Sequence, residues 1–174
     1  ERRVALLPAN IAQLVKAGIQ VVVEKGAGEP AGISDQDYQD KGAHITADRT
    51  EVFAADAVTQ VRAYGANQQA GQSDLQLLRP ESIVIGTCDP LGAPEAIGEF
   101  AKTGARLFAL ELIPRITRAQ AMDVLSSQAT IAGYRAVLLA AVELPKMFPM
   151  MMTAAGTLSA ARVFVIGAGV AGLQ

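Results

Sequence analysis

The residues with the clearest chemistry stand late in the 174-residue chain, where Val163, Phe164, Val165 and Ile166 run directly into Gly167, Ala168, Gly169, Val170, Ala171 and Gly172. A buried-type strand opening into G-x-G-x-x-G suits a diphosphate. The first glycine permits a tight turn, the second lets backbone approach the phosphates, and the third lets the following helix pack closely on the strand. A helix beginning here aims free N–H groups and its positive dipole end at the same point. Gly167, Ala168, Gly169, Val170 and Gly172 are therefore candidate cofactor-binding residues for a dinucleotide. The alternative is a strand-to-helix turn without a ligand. An acidic ribose partner would follow about 20 positions later, past Gln174, so these residues do not choose between NAD and NADP.

A second group follows the apolar run 106–111: Arg115, Gln120, Asp123, Ser126 and Ser127 lie close together in an otherwise apolar neighbourhood. Open α/β sheets place ligands just past strand ends. A carboxamide needs a donor and an acceptor, and a ribose needs hydroxyl partners; these side chains supply both. The same residues also fit a solvated loop and helix cap, with Asp123 paired to Arg118 or Arg115.

The elements that must position these groups alternate. Pro8 suits the first turn of a helix over 9–17, with Ile11, Leu14 and Val15 on one face and Gly18 as its stop. Residues 19–24 read as a strand, and Ser34 with Asp37 has capping-box spacing for a helix over 35–41 that ends at Gly42. Apolar runs at 57–61, 83–87 and 106–111 continue the strands, and 94–103 has helical spacing between two of them. The polar stretch 67–73 reads as a loop. From 117 to about 144 the chain favours helix, with a break near Ser126 and Ser127, and Pro145 and Pro149 close it. A loop through 153–156 leads to a new strand over 162–166.

The expected fold is α/β: a doubly wound parallel sheet, Rossmann-like, followed by the start of a second Rossmann domain. The expected division is an N-terminal domain over 1–127, a connecting helix over 128–148, and the second domain from 149 to 174. The chain starts without a methionine and stops as the glycine motif is completed, so it reads as a piece of a longer protein with some of the cofactor pocket missing.

Composition limits the function classes. With 51% hydrophobic residues the chain has material for a core, and a net charge of -2 gives no electrostatic reason to bind nucleic acid. No apolar run has the roughly 18 or more residues of a spanning helix. The single cysteine, Cys88, excludes an internal disulfide, and with one histidine, His44, there is no zinc-type cluster. Cys88 reads as a small buried side chain and His44 as a structural or surface residue at a strand start.

The run 114–135, together with 150–157 and the glycine motif, resembles the NAD(H)-binding alpha subunit of proton-translocating nicotinamide nucleotide transhydrogenases, within the alanine dehydrogenase/transhydrogenase family. The likeness spans essentially the whole chain. It includes Glu1, Arg3, Val4 and Ala5, similar to an E-x-R-V-A opening that the family shares and precedes with a strand. The resemblance implies that Arg115, Gln120 and Asp123 act over the nicotinamide as catalytic-loop residues, that Ser126 and Ser127 help hold the cofactor, and that NADH is bound. It further implies NADP on a separate domain, a membrane domain that moves protons, a homodimer, and a peripheral position on the cytoplasmic side of the inner membrane.

Two other readings compete. In alanine dehydrogenases an arginine, a lysine and a histidine surround the keto acid; here Arg3 matches the first, while the other positions fall on Arg62 and Asp89. Amino-acid oxidation needs an acid/base group of near-neutral pKa, whereas hydride passage between two nicotinamides needs apposed rings and exclusion of water. A nucleotide-sensing module on the same fold would not need a loop over the reactive ring.

Overall fold

The computed structural model describes residues 1–174. The chain forms two compact units, Glu1–Ile113 and Pro114–Gln174. In the first, helices and strands alternate as α1 (Pro8–Lys16), β1 (Val22–Glu24), α2 (Asp35–Gln39), β2 (His44–Thr46), α3 (Arg49–Phe53), β3 (Ala57–Arg62), α4 (Gln68–Gly71), β4 (Ile83–Thr87), α5 (Pro94–Ala101) and β5 (Arg106–Ala109). All its strand pairs are parallel, because each strand is followed by a crossover that returns the chain to the same end. This is the α/β class with a parallel, Rossmann-like sheet.

The strands form two ladders, β1-β2 and β3-β4-β5, rather than one continuous sheet. Between β1 and β3 lies a cleft of about 250 Å³, which Glu1, Arg3, Val4 and Leu6 also line. Bonds between side chains hold the halves together. Arg49 of α3 donates to Asp74 Oδ1 and Oδ2 at 2.8 and 2.9 Å and also to Glu24 of β1, while Gln60 of β3 donates to Asp74 at 3.1 Å. Asp74 is only 5% exposed, so these donors replace the water it loses.

Local chemistry explains several boundaries. Ser34 and Asp37 form the expected reciprocal cap: the Ser34 N–H donates to Asp37 Oδ2 at 2.8 Å and the Asp37 N–H to Ser34 Oγ at 3.2 Å. Strand β1 is shorter than the apolar run suggests, since only Val22–Glu24 find partners on β2. Residues 68–71 form a helical turn instead of the expected loop, and β5 passes into a 3-10 turn at Leu110–Leu112.

Two apolar clusters make the core of this unit. Phe100 and Ala96 of α5 pack with Val84, Cys88, Ala63 and Tyr64, and Ile11, Tyr38 and Ala43 pack beneath the first ladder. Each fully buried large side chain contributes roughly 2 kcal/mol. His44 opens β2 at the surface, 3.2 Å from Glu51. Cys88 is 0% exposed. Burial, with a smaller contribution from the Glu111 carboxylate, pushes its thiol up to about 12. The thiolate is the reactive form. At pH 8 the native protein is expected to leave Ellman's reagent unreacted, with one thiol released in urea; rapid reaction of the folded chain would contradict the burial.

Candidate functional site

The second unit begins with a 3-10 turn, Thr117–Met122, followed by the long helix α6 (Val124–Glu143). The break falls at Asp123 rather than near Ser126 and Ser127, because Asp123 is the N-cap. Its Oδ1 accepts from the Ser126 N–H at 2.9 Å, and its Oδ2 accepts from Ser126 Oγ at 2.6 Å. Ser127 Oγ donates to the Asp123 carbonyl at 2.7 Å. Asp123, Ser126 and Ser127 are thus one hydrogen-bonded corner, in which each serine hydroxyl keeps lone pairs for an outside donor.

The bonds from Ser126, helped by the positive charge of Arg115, hold the Asp123 carboxyl below its ordinary range. Neither Arg115 nor Arg118 comes within ion-pair distance of Asp123, so the direct pairing with either arginine does not form. Arg115 and Gln120 lie exposed on the same turn. Their side chains make no hydrogen bond within the chain, while the buried Ala119 anchors the segment between them.

After α6 the chain cannot continue as helix: Leu144 is extended, as expected before Pro145. The expected loop at 153–156 is the turn of an antiparallel hairpin, β6 (Met151–Thr153) and β7 (Gly156–Leu158). Thr153 Oγ1 donates to the Gly156 carbonyl at 2.9 Å and closes it.

Residues 162–166 do not form the expected strand. A strand is held by its ladder, and no other strand of this chain runs beside them; Phe164 and Ile166 are 88% and 89% exposed. The glycine turn nonetheless has its shape. Gly167 has φ +104°, which favours glycine. A Cβ on Gly172 would lie 2.1 Å from the Gly167 carbonyl oxygen, so the third glycine lets the turn close on itself. Around the Cβ position of Gly169 there is open space. The short helix α7 (Val170–Leu173) begins there, and its first N–H groups have no partner within the helix. A diphosphate fits this arrangement: open backbone, free donors and a closed turn behind them.

One residue is not singled out by the sequence motifs. Gly133 lies in the middle of α6, and a Cβ there would come 2.3 Å from the Ala171 carbonyl oxygen of α7. A signal for it does exist in the sequence, since an interior helix glycine costs about 1 kcal/mol relative to alanine and calls for a packing reason.

Asp123→Ala is expected to fray the first turn of α6, read as faster amide exchange at Ser126. Because the folded carboxyl is held low, its capping is present above the ordinary carboxylate range of about pH 4 and is lost as pH falls through the lower folded value. Exchange at Ser126 should therefore rise in acid in the unmodified protein and stay flat in the variant. An equal pH response in both would remove Asp123 as the cap.

Residues 1–132 match the family model "Alanine dehydrogenase/PNT, N-terminal domain", and residues 136–174 match "Alanine dehydrogenase/PNT, C-terminal domain". Among curated relatives are the alpha subunits of NAD(P) transhydrogenase from Rickettsia prowazekii and Rhodospirillum rubrum, each in the form of the first of the pieces into which that subunit is divided. The chain is 42% identical to the former and 41% identical to the latter, over 100% of this chain and 45% of each relative. It therefore spans about half the length of the curated relatives it matches. A crystal structure of transhydrogenase from Sinorhizobium meliloti superposes with a TM-score of 0.91 at 47% identity, over 99% of this chain and 50% of that one. With both family models matched in order along one parallel α/β chain, the protein belongs to the alanine dehydrogenase/PNT family.

Proposed function

We propose that this chain is the leading segment of a transhydrogenase alpha subunit that binds NADH and passes its hydride to NADP held on a separate domain. The observation that carries this reading is a pair of groups within the second unit: a glycine turn with open backbone donors, and a polar corner at the start of α6. The functional division proposed is 1–127, a connecting helix over 128–148, and a nucleotide domain from 149 onward.

In this reading Gly167, Ala168, Gly169, Val170 and Gly172 hold the diphosphate through backbone N–H groups and the start of α7. Ser126 and Ser127 accept from the carboxamide or ribose, their own protons being committed to Asp123. The reduced nicotinamide supplies the hydride. Arg115 and Gln120, whose side chains no hydrogen bond within the chain restrains, reach over the ring, orient it and exclude water, while Asp123 fixes the corner beneath them.

The mature assembly in this proposal is a homodimer, peripheral on the cytoplasmic side of the inner membrane, joined to an NADP-binding domain and to a membrane domain that moves protons. Within the chain itself, no helix is long and apolar enough to cross a membrane. An alanine dehydrogenase activity is less well supported. Arg3 and Arg62 line the cleft between the two ladders, but the position that would carry the histidine is Asp89, which is absent from that cleft.

In the full-length subunit, Arg115→Ala and Gln120→Ala are each expected to slow hydride transfer by about tenfold or more with the thermal midpoint unchanged. Calorimetry should show NADH binding in the unmodified subunit. Unaltered turnover in both variants would remove the loop from the mechanism.

A further inference from the structure

Gly133 is the buried residue of α6. The atoms that exclude a side chain there belong to α7 and the residue after it: the Ala171 carbonyl oxygen at 2.3 Å from a Cβ, and Gln174 Cβ at 3.0 Å. Main chain cannot step aside by changing rotamer. Any added carbon must therefore push α7, with the turn attached to it, away from α6.

Seven positions before Gly133 on the same helix is Ser126, bonded to Asp123. At about 100° and 1.5 Å per residue, seven positions make nearly two full turns and about 10 Å along the axis. Ser126 and Gly133 consequently share one face of a single rigid element.

We infer that Gly133 is a positioning residue: it seats the glycine turn on α6 at a fixed distance from the Asp123–Ser126 corner, and so sets the length of dinucleotide that the subunit accepts. This rests on the dinucleotide reading above. The turn closes on itself through the Gly167–Gly172 contact, independently of α6. Displacing it leaves the diphosphate grip intact and spoils only its spacing from the polar corner.

The test uses calorimetry on the full-length subunit with two probes, ADP, which engages the diphosphate grip alone, and NADH, which must reach both ends. Gly133→Ala is expected to hold ADP within about threefold of the unmodified protein and to bind NADH at least about tenfold more weakly, the scale of loss that follows a displacement near 1 Å. Ala132→Gly imposes a similar helix penalty without an atom aimed at α7, and should keep both affinities. Unchanged NADH binding in Gly133→Ala overturns the inference, and so does an equal loss of ADP and NADH, which would make Gly133 a support of the turn's own fold. Should the unmodified subunit bind neither probe, the dinucleotide reading itself falls.

If Gly133→Ala loses its helical circular dichroism, the unmodified subunit is compared on NADH and on the same dinucleotide carrying a triphosphate bridge. The longer ligand is expected to bind at least about tenfold more weakly; equal affinity overturns the inference.

Discussion

In the second unit, two stretches of main chain approach each other with no side chain between them. The backbone of α7 lies against α6 at Gly133, and the turn before α7 lies against α7 at Gly172. Such contacts are unforgiving, because carbonyl oxygens have nowhere to move, and they give a short helix of Val170–Leu173 a defined place that its own length could not secure. The open space at Gly169 exists because its neighbours on both sides are packed this tightly.

The corner at Asp123 works by a different force. A capping carboxylate that accepts from both the amide and the hydroxyl of Ser126 turns an irregular segment into a long helix within a single residue. The same bonds orient two serine hydroxyls and leave the side chains of Arg115 and Gln120 unattached. A rigid base and a free rim are thus products of one capping arrangement. In the first unit, the charged bonds from Arg49 to Asp74 and Glu24 have the comparable task of tying α3 to elements of both ladders.

Much of this is legible in the sequence where a local rule decides the outcome. The alternation of helices with parallel strands, the Ser34–Asp37 cap, the stops at Gly18 and Gly42 and the glycine turn all follow from nearest-neighbour chemistry. What is not legible depends on contacts distant in sequence. Strand β1 is cut to the residues that β2 can pair, and the run 162–166 is apolar enough for a strand yet has no ladder beside it. Residues 68–71 look like a loop by composition, and only their packing against Tyr64 makes them helical. The break in the long helix comes slightly earlier than the sequence suggests because Ser126 and Ser127 look like capping residues; here the cap is the aspartate ahead of them. Gly133 is inconspicuous for the reason that makes it informative: its role lies in a neighbour about 40 positions away.

Val163, Phe164, Val165 and Ile166 form an uncharged, β-branched and aromatic ribbon without proline, exposed on both faces. A bare ribbon of this kind offers unpaired backbone donors and acceptors to any other free edge, and copies of the same molecule are the most abundant supply. The colloidal behaviour of the chain is therefore governed by a segment whose composition is that of a sheet interior. Concentration and temperature act on this ribbon before they act on the packed core of the first unit.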